Sequence, residues 1–357
     1  MNLPLTSEVL SNPDVVVQLK LADWDLLVRQ ARRAGLLARL AETLVGLEGE
    51  ADIPQAVRWH LKAEQVLSDR QKIAVRWEVG QIREALAGLN IPVILLKGAA
   101  YVMAELPASR GRMFSDVDIM VPFESINQAE AALMLAGWHA QSGDAYDERY
   151  YRQWMHEIPP MVHLKRGSVV DMHHAILPRT ARYHPDPVKL RGEAVPVKGE
   201  PGLFVLQPVD MVLHAACHLF HDGELPHGLR DLSDLDLLLR YFGRDGNFWD
   251  MLPRRALELE LARPLFYALR YARHFLKTPV PATVDADLVS AEPPLLKLMD
   301  AVFHRVLGPD HDSCRDLLMR PARLAAYVRA HWLRMPPLML ARHLLHKALI
   351  SRREAPT

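Results

Sequence analysis

Apolar positions through the first ninety residues recur at helical spacing. Val75, Val79, Ile82 and Leu86 follow one another at intervals of four, three and four, which is one stripe of a helix. Gly88 and Asn90 are stop signals, and Pro92 forbids continuation. The pattern then changes. Val93, Ile94, Leu95 and Leu96 form a short apolar run, half of it β-branched, as a buried strand would. Gly98 ends that run and a helix-like stretch follows as far as Glu105. Val117, Ile119 and Val121 alternate with Asp116, Asp118 and Met120, which predicts a second strand closed by Pro122. Ser125 to Ala136 has helical composition, with Gly137 as its stop.

Two or three further strands are expected between Tyr146 and Asp171, including Met161 to Leu164 and Ser168 to Met172, with Arg166 and Gly167 turning between them. From about Pro208 helical periodicity returns, most clearly over Met211 to Phe220, Leu229 to Phe242 and Arg263 to Leu276. Pro253, Pro264, Pro279 and Pro281 read as breaks or helix starts. The layout expected is a helical region over 1–89, an α/β core over 90–205 and a second helical region over 206–357. The fold class is therefore α+β.

Composition narrows the function classes. Of 357 residues, 50% are apolar and 24% charged, a globular balance. Lys plus Arg is 43 and Asp plus Glu is 43, so binding of nucleic acid by net charge alone is not expected. The two cysteines, Cys217 and Cys314, exclude a disulfide scaffold and a cysteine-rich zinc module, and suit a reducing compartment. No basic flank precedes an apolar stretch near Met1, and no run of about 18 apolar residues occurs, so a cytoplasmic chain without a transmembrane segment is expected.

The stretch LKGAAYVMAELPASRGRMFSDVDIMV, from Leu96 to Val121, carries the chemistry. Asp116 and Asp118 are two apart on the expected strand, so both leave one face, their Cα atoms roughly 7 Å apart. Two bare carboxylates in an apolar strand repel each other and lose hydration, and so call for a compensating cation. Magnesium suits them, because it prefers carboxylate oxygens, water and substrate phosphates. An edge strand with one solvated face would carry the same Asp-x-Asp pattern. The context argues for the metal. Lys97 and Gly98 stand where the preceding strand enters a helix, a place where glycine, free amides and an ammonium favour an anion. A third acid, Asp171, lies in the apolar run SVVDMHHAI. Three carboxylates suffice for two metals about 4 Å apart in phosphoryl chemistry.

LLKGAA, RMFSDVDIMV and VVDMHH together resemble the uncharacterised nucleotidyltransferase family of the polymerase β-like superfamily. A weaker echo runs through HAACHLFHDGELPHGLRDLSDLDLLL, so the likeness covers about residues 90–240. It implies a small mixed sheet with helices and a metal-dependent transfer of NMP from an NTP such as ATP to an acceptor hydroxyl, with release of pyrophosphate. It also implies Asp116, Asp118 and Asp171 as ligands of two Mg2+ ions, or Mn2+, with Asp171 activating the acceptor. Gly98 would be the turn glycine, Ser115 a neighbour of phosphate, and Lys97 and Arg112 phosphate contacts. Ala99 departs from the second Gly or Ser common in the superfamily, and the stretch from Gly98 to Asp116 is longer than in many relatives.

Other features carry weaker chemistry. His214, His218 and His221 share one helical face, a spacing that can ligate a transition metal, with Cys217 expected to point elsewhere. His221 and Asp222 also resemble the pair of metal-dependent phosphohydrolases, which makes hydrolysis an alternative alongside a non-catalytic binding module. Arg230, Asp231 and Asp234 open a helix, where Asp231 complements the helix dipole, and the resemblance of this segment to the family implies a place beside the cleft for Arg230 or Asp234. Either His173 or His174 is expected to face the site. From Arg320 to Arg353 there are eight Lys or Arg and no Asp or Glu, a segment suited to RNA phosphates, an anionic surface, or packing on the body. The acceptor, whether protein, RNA or small molecule, is not readable from the residues.

Overall fold

The computed structural model describes residues 3–45, 53–141, 154–221 and 223–336. Its centre is a mixed seven-stranded sheet in the order β3-β4-β5-β2-β1-β7-β6. The strands are β1 (Val93–Leu95), β2 (Asp116–Met120), β3 (Trp138–Ala140), β4 (Met161–His163), β5 (Val169–His173), β6 (Val195–Pro196) and β7 (Leu203–Val205). β2 runs antiparallel to β1 and parallel to β5, and β1 runs parallel to β7. The Asp-x-Asp strand is therefore the middle strand. That removes the edge-strand reading, because a central strand has no solvated flank.

The apolar stripe of the sequence builds one side of the core. Val75, Val79, Ile82 and Leu86 are all buried on the helix Gln55–Leu86, which packs against the helices Lys97–Met103 and Ile126–Leu135 and against β2. This long helix ends through a short 3-10 turn at Asn90, whose φ of 51° is left-handed. All of β1 is buried, as its unbroken apolar run requires.

On the C-terminal side the helices Pro208–His221, Gly228–Phe242 and Ala262–Leu276 pack on one another. One apolar core runs from Ala34 to Ala326 and takes in the sheet and these helices. Among the described residues no helix is long and apolar enough to cross a membrane.

Three local differences from the sequence reading have physical causes. Pro253 does not break its helix. It lies inside Phe248–Glu258, where it forgoes the hydrogen bond its N–H would donate to the Trp249 carbonyl. β3, β6 and β7 are two or three residues long, too short to leave an alternating pattern. Of the strands expected after Tyr146, β4 and β5 are present, joined by a turn at Gly167 with φ +69°. Residues 142–153 lie outside the described part.

Gly111 ties the N-terminal helices to the core. Its φ is +60°, and a Cβ there would run into the backbone of Ala38 and Arg39 on the helix Leu37–Leu44. Gly111→Ala is therefore expected to lower the unfolding free energy by about 2 kcal/mol or more, measured by urea denaturation.

Candidate active site

The parallel pairing of β2 with β5 sets Asp118 opposite Asp171 and Asp116 opposite Val169. Alternation then puts Asp116, Asp118, Asp171 and His173 on one face of neighbouring strands about 4.8 Å apart. The other face presents Val117, Ile119, Val170 and Met172, all buried. The three aspartates thus come together, and all three line one cavity of about 290 Å³.

Asp118 is the deepest of them, 3% exposed. Lys97 reaches it from the end of β1 and donates from Nζ to Oδ1 at 2.8 Å. Nε2 of His173 lies 3.1 Å from the same oxygen. Burial pushes the Asp118 carboxyl up, but the Lys97 ammonium and the His173 contact outweigh it and hold the group well below the usual range. Asp116 and Asp171 have no such partner cation in contact among the described residues. Burial and the charge of Asp118 raise Asp116, which is partly offset by Lys97 and a hydrogen bond from Ser115. Burial, followed by Asp118 and Asp116, pushes Asp171 up to about 7.

The lysine holds its position with φ +44°, an uncommon conformation for a side chain of that size. Gly98, next to it, is not among the residues lining the cavity. A Cβ there would collide with the Arg112 guanidinium and come within 2.8 Å of the Phe114 ring, so its missing side chain makes room for those two. Ser115 and Arg112 do line the cavity. Arg112 is also committed behind it, donating from Nε to Asp234 at 2.7 Å. Arg39 donates to the other oxygen of Asp234 at 2.7 Å and to the Ala108 carbonyl at 2.6 Å. Burial raises Asp234, yet the two guanidinium groups win and keep its carboxyl below the ordinary value. Arg230 lines the cavity and pairs with Asp231.

A further wall of the cavity comes from the helix Pro208–His221, through His214, Cys217, His218 and His221. Cys217 shares this face, contrary to expectation, because it stands three residues after His214 and four before His221. Its Sγ lies 3.7 Å from His221 Nδ1. Burial pushes His214 and His221 down to about 3, and Lys97, with burial, depresses His218, so this wall is neutral imidazole. Asp222 lies outside the described residues. Of the two histidines after Asp171, His173 enters the site. His174 turns toward Phe123 and the Met155 carbonyl.

Two lining residues had no signal in the sequence. His156 and Glu157 enter beside His173 through a single antiparallel bridge between Glu157 and His173. At the far end of the chain, the described part of the basic stretch forms the helix Met319–Arg334. Its Arg323 pairs with Asp310, Arg329 lies over the Tyr267 and Phe303 rings, and Arg334 lines the cavity. Residues 337–353 are outside the described part.

The donor set suits a hard divalent cation. It offers three carboxylates, two of them raised by burial and by the neighbouring carboxylate charge, and Oδ1 of Asp171 is buried with no hydrogen-bond partner among the described residues.

The family model described as "uncharacterised nucleotidyltransferase" matches residues 20–277, which includes every one of these cavity residues except Arg334. The chain belongs to the uncharacterised nucleotidyltransferase family. A search of curated proteins returns no match. Among solved structures, that of the antibiotic-resistance factor ANT(2'')-Ia is similar at 15% identity, covering 58% of this chain and 98% of that one with a TM-score of 0.35. A likeness so distant carries nothing further about this nucleotidyltransferase.

The buried Arg39–Asp234–Arg112 group makes a stability prediction. Asp234→Asn leaves two buried guanidinium groups without their counter-charge and is expected to cost about 3–5 kcal/mol at neutral pH. The carboxylate's contribution is whole above about pH 4 and is lost as the pH falls through its lowered folded value. Denaturant titrations at several pH values should therefore show the gap between wild type and variant narrowing toward acid.

Proposed function

We propose that this chain is a metal-dependent nucleotidyltransferase that moves an NMP group from an NTP to an acceptor hydroxyl, with release of pyrophosphate. The observation that carries the reading is the convergence of Asp116, Asp118 and Asp171 on one cavity wall, from two adjacent strands in register. Family membership supports it.

Two Mg2+ ions, or Mn2+, would be held by Asp116, Asp118 and Asp171. When bound, such ions neutralise triphosphate charge and support the leaving pyrophosphate. The remaining work belongs to the chain. Lys97, whose ammonium lies inside the cavity, holds phosphate oxygens, with Ser115 and Arg112 beside it. Arg112 is kept rigid for this by Asp234, and a fixed charge stabilises a developing one without reorganising. Asp171, whose buried Oδ1 has no hydrogen-bond partner among the described residues, takes the proton of the acceptor hydroxyl. The neutral imidazoles of His214, His218 and His221 bind the acceptor by hydrogen bonds without competing for the phosphates.

Replacing Asp116 and Asp118 together by Asn is expected to reduce metal-dependent turnover of α-labelled NTP by on the order of 10³-fold or more, because both metal positions lose ligands. The acceptor is found by incubating the protein with each labelled NTP and a lysate and identifying what becomes labelled. Unchanged turnover in the double variant would reject the assignment. Nucleotide binding without pyrophosphate release under any acceptor would favour a non-catalytic binding module on the same fold.

A further inference from the structure

His156, Glu157 and His173 each offer a ligating atom, and the three atoms lie within 4.8 Å of one another. They are the one such group of three among the described residues. None of them belongs to the aspartate set. Their placement is held by backbone pairing. Glu157 and His173 are bridge partners, the Ile158 N–H donates to the Met172 carbonyl at 3.1 Å, and the His174 N–H donates to the His156 carbonyl at 2.8 Å.

The side-chain chemistry has the form of a metal-ligand set. Nδ1 of His173 is buried with no hydrogen-bond partner among the described residues, and Nε2 of His156 lies 3.9 Å from Glu157 Oε2. Nε2 of His173 faces Asp118 at 3.1 Å, which fixes the ring so that its other nitrogen, Nδ1, points at Glu157 Oε2 at 3.3 Å. A metal-ligating histidine commonly gives its far N–H to a carboxylate, as Nε2 of His173 can to Asp118, which leaves Nδ1 for the metal. Both carboxylates lie against the same ring, and the rings of His156 and His173 are 5.4 Å apart.

We propose that His156, Glu157 and His173 form a separate site for a first-row transition cation, Zn2+ being the best fit. Two imidazole nitrogens and one carboxylate oxygen are a zinc donor set with a coordination position left open, whereas Mg2+ takes oxygen donors and keeps its waters. Ligands at about 2.1 Å from a tetrahedral zinc lie roughly 3.4 Å apart, so the group closes by side-chain movement of about 1–1.5 Å on binding. His173 then joins the two metal systems. It ligates zinc through Nδ1 and donates through Nε2 to Asp118, one of the carboxylates proposed to hold magnesium.

The test needs no nucleotide and no turnover, so it stands or falls apart from the transferase reading. Full-length protein is stripped with chelator, loaded with Zn2+ in the presence of millimolar Mg2+, passed through gel filtration and assayed for metal. Wild type should retain one zinc per chain, and the Co2+-loaded protein should show visible d–d absorption with imidazole-nitrogen character. His156→Ala and the near-isosteric Glu157→Gln should each weaken zinc affinity by about tenfold or more, while Asp116→Asn leaves it unchanged. Wild type retaining no zinc overturns the proposal, with His173 then a protonated bridge between Asp118 and Glu157. Zinc held equally by both site variants, or lost from Asp116→Asn alone, overturns it too, because the ion then sits on the aspartates.

Discussion

Everything at the site depends on a carboxylate placed where a folded chain least tolerates one. Asp118 stands on the middle strand of the sheet, with apolar side chains behind it and strands on either side. Without a counter-charge such a group would unfold the strand or take up a proton. Lys97 answers that demand in the structure, at the cost of a left-handed backbone, and His173 adds a second contact on the same oxygen. Asp116 and Asp171 have no cation in contact among the described residues, and burial with the neighbouring carboxylates pushes them toward protonation. The result is an uneven trio, one member settled by protein charge and two raised, the pair that a divalent cation would relieve.

That trio is surrounded by contacts that bring distant parts of the chain together. Arg39 comes from an N-terminal helix, Arg112 from the loop before β2 and Asp234 from a C-terminal helix, and they meet in one buried ion group. Breaking a buried pair of this kind is costly because it strands a charge. The cavity wall formed by Arg112 is therefore held in place by the flanking helices. The helical regions thus shape the site as well as covering the sheet.

Much of this was legible in the residues themselves. The stripe from Val75 to Leu86 gives its helix because periodicity depends only on local spacing, and Asp116 and Asp118 are conspicuous because aspartate is costly inside an apolar strand. What the sequence could not show is pairing across the chain. Arg39 reads as an ordinary helix residue until Asp234 arrives beside it. His156 and Glu157, followed by Pro159 and Pro160, have no periodicity and reach the site through one bridge to β5. Lys97 reads as a phosphate ligand, and its hold on Asp118 follows only once β1 and β2 are neighbours. The face of Cys217 was open to a helical-wheel reading, since positions three and four apart lie together.

The central claim is that the three aspartates act as one receptor for divalent cations beneath a nucleotide. Electron paramagnetic resonance of Mn2+ titrated into the protein with a non-hydrolysable NTP analogue counts those cations directly. Two bound ions per chain in wild type, falling when Asp171 is replaced by Asn, is the predicted result. An ion count that ignores both the analogue and the Asp171 substitution would contradict the account.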